Sequence, residues 1–206
     1  METNGNPAVV KRPDAGTSTD KFKQAIEKYS NIEVVQRYIT GGSCVLVDDS
    51  QYAELRQRVA ARFGIRHNEI LIIGSAKLGF SIAPRKRWKA FHEESDIDVA
   101  ITSTNMYLKV WHELSRLVDS DHFLDWRRKS KFLQYKIHGW IRPDLLPRSP
   151  ALPLSDEWFE FFRSVTTEGT CGPYKVNAGL YYDIDFLESY QARGVNLCRE
   201  EITEAR

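Results

Sequence analysis

The most constraining feature is a short stretch in the first half of the chain. Ile70-Leu71-Ile72-Ile73 runs directly into Gly74-Ser75-Ala76-Lys77-Leu78-Gly79, and a second apolar segment, Asp96-Ile97-Asp98-Val99-Ala100-Ile101, follows. Four consecutive aliphatic residues bounded by Gly read as a buried strand. A strand that turns into a helix at Gly-Ser exposes backbone N–H groups, and Gly permits close approach of a ligand, so this turn suits a phosphate. In the second segment, strand alternation sends Asp96 and Asp98 to one face and Ile97 and Val99 to the other. Two carboxylates on one face repel unless a cation lies between them, and hard oxygen ligands suit Mg²⁺ or Mn²⁺. Taken singly, each half has a plainer reading: Ser75 as a helix cap, and the Asp pair as a solvated strand end.

The remaining pattern is mixed. Residues 1–18 are rich in Gly, Pro, Asn, Thr and Ser and read as a disordered lead, with one domain over 19–206. A helix capped at Thr19 or Asp20 carries Phe22, Ala25, Ile26 and Tyr29 on one stripe, and Gly41-Gly42 interrupts the chain. A second helix starts at Asp49 or Ser50, carries Leu55 and Val59, and stops at Gly64. Helices are predicted over 105–118 and from a Ser155 cap through Trp158 and Phe162. A strand is predicted over 175–182 and a final helix over 184–204; the period over 123–140 is ambiguous between helix and strand. Prolines 143, 147, 150 and 153 mark a loop. This order predicts an α/β or α+β fold, a small mixed sheet flanked by helices.

The paired motif resembles the DNA polymerase β-like nucleotidyltransferase superfamily, over residues 70–102. The matching positions are Gly74-Ser75 after an apolar strand and Asp96-x-Asp98 between apolar residues. The resemblance implies that Gly74 and Ser75 hold the triphosphate of an NTP, with Lys77 nearby. It also implies that Asp96 and Asp98 ligate two Mg²⁺ or Mn²⁺ ions, and that a third carboxylate on a later strand completes the catalytic set. Asp144 and Asp183 are the candidates for that carboxylate, with Asp185 behind them. Asp183 also reads as a helix cap, and Asp185-x-x-Glu188 as a capping box. The implied activity is transfer of a nucleoside monophosphate to an acceptor hydroxyl with release of pyrophosphate. Small free-standing relatives in bacteria often belong to toxin–antitoxin or antiphage systems. A second reading is a catalytically inactive nucleotide- or nucleic-acid-binding subunit of a larger complex on the same fold.

The chain departs from the family pattern in spacing. Twenty residues separate Ser75 from Asp96, and they hold Arg85, Lys86, Arg87 and Lys89 around Trp88. A second basic run includes Arg127, Arg128, Lys129, Lys131, Lys136 and Arg142, interleaved with Trp126, Phe132, Tyr135 and Trp140. Such runs suit RNA or DNA as acceptor, or an acidic protein partner, and are equally read as solvated faces.

Composition sets outer bounds. With 29 basic and 28 acidic residues in 206, the net charge of +1 excludes a uniformly basic nucleic-acid binder. Cys44, Cys171 and Cys198 form no Cys-x-x-Cys pair, the five histidines show no metal spacing, and no Ser-His-Asp set can be assembled. The sparse cysteines and the absence of an apolar leader predict a cytoplasmic protein, and no apolar run is long enough to predict a membrane span.

Overall fold

The computed structural model describes residues 18–121 and 124–205. Of the expected lead at 1–18, residues 1–17 lie outside the described residues, as do His122, Phe123 and Arg206.

Four strands make one mixed sheet: β1 (Ile70–Ile73), β2 (Ile97–Thr102), β3 (Trp140–Ile141) and β4 (Val176–Tyr181), in the order β1-β2-β4-β3. β1 runs antiparallel to β2, β2 parallel to β4, and β3 antiparallel to β4. Eight α-helices surround the sheet among the described residues: α1 (Thr19–Lys28), α2 (Asn31–Val35), α3 (Asp49–Phe63), α4 (Gly74–Leu78), α5 (Thr104–Ser120), α6 (Lys129–Lys136), α7 (Leu154–Thr167) and α8 (Ile184–Glu204). The expectation of a small mixed sheet flanked by helices is met.

Strand alternation divides the core in two. Ile70, Ile72, Ile97, Val99, Ile101, Val176 and Leu180 pack with Leu55 and Val59 of α3, Val110 and Leu114 of α5, and Trp158 and Phe162 of α7. Leu71, Ile73, Ala100 and Tyr181 face the other way, onto Phe22 and Ile26 of α1, Val34 and Val35 of α2, and Leu187 and Val195 of α8. Both faces of the sheet are therefore covered, which is why β1 reads as an unbroken apolar run.

Local signals explain most boundaries. α3 starts at Asp49 as expected, behind a capping box formed by Asp48 and Gln51, and Gly64 ends the helix with φ +64°. Ser18, rather than Thr19 or Asp20, caps α1 by accepting from Lys21 N at 3.2 Å. At α7, Pro153 rather than Ser155 occupies the cap position. Ser155 is buried in the first turn and donates to the Pro143 carbonyl at 3.3 Å. The ambiguous segment resolves into both alternatives, a two-turn α6 and then β3. α2 runs into a π-turn, Gln36–Thr40, fixed to α8 because Gln36 Nε2 and Thr40 Oγ1 donate to the Glu188 carboxylate at 2.8 and 2.7 Å. Among the described residues no helix is long and apolar enough to cross a membrane.

Gly179 marks the closest packing on the α8 side of the sheet. The Trp140 indole lies flat on it and stacks on Tyr181 at 5.3 Å, and a Cβ at 179 would fall 2.5 Å from Trp140 Nε1. Because Tyr135 and Tyr190 hold the indole edge-on, it cannot retreat freely. Gly179→Ala is expected to lower unfolding free energy by about 1–3 kcal/mol in urea melts, an overpacking cost. An unchanged midpoint would mean that the aromatic cluster yields.

Candidate active site

β1 ends where β2 begins its run, because the two are antiparallel, and Ile73 is the register partner of Asp98. The Gly-Ser turn is thereby delivered to the Asp pair. Gly74 adopts φ +68°, and a Cβ there would lie 3.0 Å from Asp98 Oδ2. The residue at 74 must therefore be small for two reasons, backbone conformation and the adjacent carboxylate. α4 beyond it is a single short helix closed by Gly79, so its dipole is slight and the cradle consists mainly of the first-turn N–H groups.

On β2, Ile97 and Val99 are buried while Asp98 remains exposed. Its carboxyl meets solvent, yet protein closes around it on the remaining sides. This crowding, helped by the neighbouring Asp96 charge, raises its pKa from 3.8 to about 6, while Lys86 and Lys175 pull the other way. The partner of Asp98 on β4 is Asn177. Asn177 Nδ2 donates to Asp96 Oδ2 at 2.9 Å, so the three side chains form one polar group at the N-terminal end of the two central strands. Two neighbouring acids, a repulsion between them that nearby lysines only partly offset and a glycine pressed against one of them are a donor set that fits a hard divalent cation.

Neither expected third carboxylate joins this group. Asp183 follows β4 and caps α8, accepting from Phe186 N at 3.0 Å. It lies six positions after Asn177, roughly 20 Å of extended chain. Asp144 lies beyond β3, which is two strands from β2, or about 10 Å across the sheet. Its carboxylate takes a two-pronged bond from Arg142, at 3.0 Å to each oxygen, and Arg128 stands at 3.6 Å. Asp185 falls in the first turn of α8. Among the described residues no group of three His, Cys, Asp or Glu side chains is placed to hold a metal ion.

Comparison with protein-family models, curated proteins and solved structures finds no match for this chain. What is known of the site therefore comes from its geometry.

Lys77 turns away from the expected phosphate position. Its ammonium is buried and donates to the Gly42 carbonyl at 2.6 Å, and the main chain of Ala76 and Lys77 is bridged to Leu46 and Val45. Burial pushes its pKa down, and Cys44 nearby pulls it back. Lys77 thus straps the Gly42–Val47 loop to α4, supporting the cradle from behind.

Within the twenty residues that separate Ser75 from Asp96, residues 79–91 fold into a hairpin. Phe80 bridges Ala90, Trp88 N donates to Ser81 O at 2.8 Å, and Phe91 N donates to Gly79 O at 2.9 Å. Arg87 and Trp88 pin it to α8: Arg87 pairs with Glu201, and Trp88 Nε1 donates to Glu201 at 3.1 Å. Trp88 holds φ +65°, uncommon for a bulky residue, and packs against Phe22 and Phe80. Arg85, Lys86 and Lys89 stay exposed. In the second run, Arg127 pairs with Asp125 at 2.9 Å, Arg128 is drawn to Asp144, and Lys129 opens α6.

Asn177 and Lys175 were not singled out from sequence. The available signal was a polar residue interrupting the apolar run of the 175–182 strand. Ser75 is half-buried beside the cradle. Ser75→Ala is expected to weaken Mg·ATP binding several-fold and to cost about 1 kcal/mol or less in stability, the scale of a lost cap. Equal affinities by calorimetry would reduce Ser75 to a local helix residue.

Proposed function

We propose that the Asp96–Asp98 face binds a nucleoside triphosphate with a divalent cation and transfers its nucleoside monophosphate to an acceptor hydroxyl, on a fold of the polymerase β-like kind. The observation that carries this reading is the contact of Gly74 with Asp98. It sets a backbone turn suited to an anion against a carboxylate pair suited to a cation, a combination that phosphoryl chemistry uses. In this reading the N–H groups of the Gly74–Ser75 turn hold the terminal phosphates. Asp96 and Asp98 hold the cation, and Asn177 fixes the orientation of Asp96. A cation bound there would lower the pKa of the acceptor hydroxyl and stabilise charge on the departing pyrophosphate. The acceptor hydroxyl loses its proton to solvent, its oxygen bonds to the α-phosphorus, the bond from that phosphorus to the bridging oxygen breaks, and pyrophosphate leaves.

One observation favours a second reading. Asn177 stands where the resemblance implies a carboxylate, which suits a site that binds nucleotide without turning it over. A single set of incubations separates the two. The full chain is given each labelled NTP with Mg²⁺ or Mn²⁺ and total cellular RNA and protein, and both retained and transferred label are measured. Transfer supports the enzyme, retention without transfer supports the binding module, and neither outcome in any condition removes both.

A further inference from the structure

Asn177 changes the charge arithmetic of the site, and Lys175 completes the change. The Lys175 carbonyl accepts from Ile97 N at 2.8 Å, which extends the parallel ladder one residue beyond β4 and sets Lys175 beside Asp96. Strand alternation puts Lys175 on the side of the sheet that carries Asn177 and Asp98. The residue is exposed and makes no ion pair among the described residues, whereas Arg58, Arg62, Arg87, Arg128 and Arg142 all have acidic partners. The same holds for Lys86, carried on the turn of the hairpin. Both ammonium groups are within electrostatic reach of Asp98, since both oppose its raised pKa.

The polar face thus has two carboxylates, one carboxamide and an uncommitted lysine in a row across two strands. One Asp96 oxygen is already occupied by the Asn177 amide. Two negative charges balance one divalent cation and leave nothing to hold a second. A triphosphate nevertheless brings several negative charges and needs more positive charge than one cation supplies. We propose that Lys175 binds the polyphosphate of the nucleotide directly, so that this face works with one divalent cation and an ammonium group in place of two cations. The inference rests on the nucleotide-binding reading above and replaces the two-metal expectation that accompanies the family resemblance.

The test uses the full chain and inorganic tripolyphosphate as the probe. Equilibrium dialysis against manganese tripolyphosphate counts metal and phosphate retained per chain. One Mn²⁺ per bound tripolyphosphate is expected for the wild type. Lys175→Met should weaken tripolyphosphate retention at least tenfold, with Mn²⁺ binding in its absence unchanged or tighter, because a repelling charge has gone. The exposed position of Lys175 lets the variant fold, which a thermal melt verifies. Asn177→Asp should restore a second bound Mn²⁺ by supplying the missing negative charge. Two Mn²⁺ per wild-type chain, or unchanged tripolyphosphate retention by Lys175→Met, overturns the inference and leaves the nucleotide-binding reading standing. Failure of the wild type to retain either Mn²⁺ or tripolyphosphate overturns that reading and the inference with it.

Discussion

Asp98→Asn is expected to abolish nucleotide transfer and, at the same time, to stabilise the ligand-free protein above about pH 6. The substitution keeps the shape of the side chain and removes the charge that a cation needs, so activity should fall by roughly 10²–10³-fold or more. The stability effect has the opposite sign because Asp98 is held at an energetic disadvantage. Burial first, and Asp96 second, raise its folded pKa to about 6 from 3.8. Between those values the folded protein keeps a proton that the unfolded chain has lost. The contribution of Asp98 to wild-type stability therefore falls as pH rises through this window and levels off above it. Asp98→Asn lacks that slope. Its gain at about pH 8 is on the order of 1 kcal/mol, discounted because the carboxyl meets solvent. Urea melts of both proteins at about pH 4 and pH 8 measure the difference. A variant no more stable than wild type at the higher pH would show that neither burial nor Asp96 disfavours the Asp98 carboxylate.

Gly74→Ala should disable the cradle, and a matched control isolates the reason. A Cβ in the left-handed region costs roughly 1–2 kcal/mol. Gly64 has nearly the same φ, +64°, but a Cβ there would meet nothing within 4 Å. Gly64→Ala and Gly74→Ala should thus lose similar amounts of stability from backbone strain alone. Only Gly74→Ala also pushes on Asp98 Oδ2, and only it should lose Mg·ATP affinity, by tenfold or more. Equal affinity in the two variants would show that Gly74 serves the turn and not the ligand.

The elements legible in the sequence are those with local causes. β1 is four aliphatic residues before a glycine, α3 is bracketed by an Asp48–Gln51 box and Gly64, and α8 follows directly on Asp183. Each signal lies within a few residues of the boundary it sets. The Asp96/Asp98 pair and its shared face were readable for the same reason, since alternation along a strand is local. Pairing across the sheet was not. That Asn177 faces Asp98, and that Asp144 is engaged by Arg142 two strands away, depends on the order β1-β2-β4-β3, which no run of residues encodes. The short β3 was hidden because two residues carry no period, and α2 with its π-turn because their fixing partner, Glu188, lies about 150 positions along the chain.

The hydrogen bond between Asn177 and Asp96 joins residues 81 positions apart and closes a parallel pair of strands. Contacts of that separation are slow to form, because a long loop must close before any ladder bond rewards it. β1, α4 and β2 can come together early, since β1 and β2 are antiparallel and close in sequence. β4 reaches β2 only by closing the long stretch that holds α5, α6 and α7, at a corresponding cost in chain entropy. The polar face, and with it any affinity for a metal–polyphosphate complex, should consequently appear in the last kinetic phase of refolding. A chain halted before β4 would carry both aspartates and the Gly-Ser turn and still lack Lys175 and Asn177. Ligand added to a refolding chain would then act on the final docking step, slowing its reversal while leaving the early collapse unchanged.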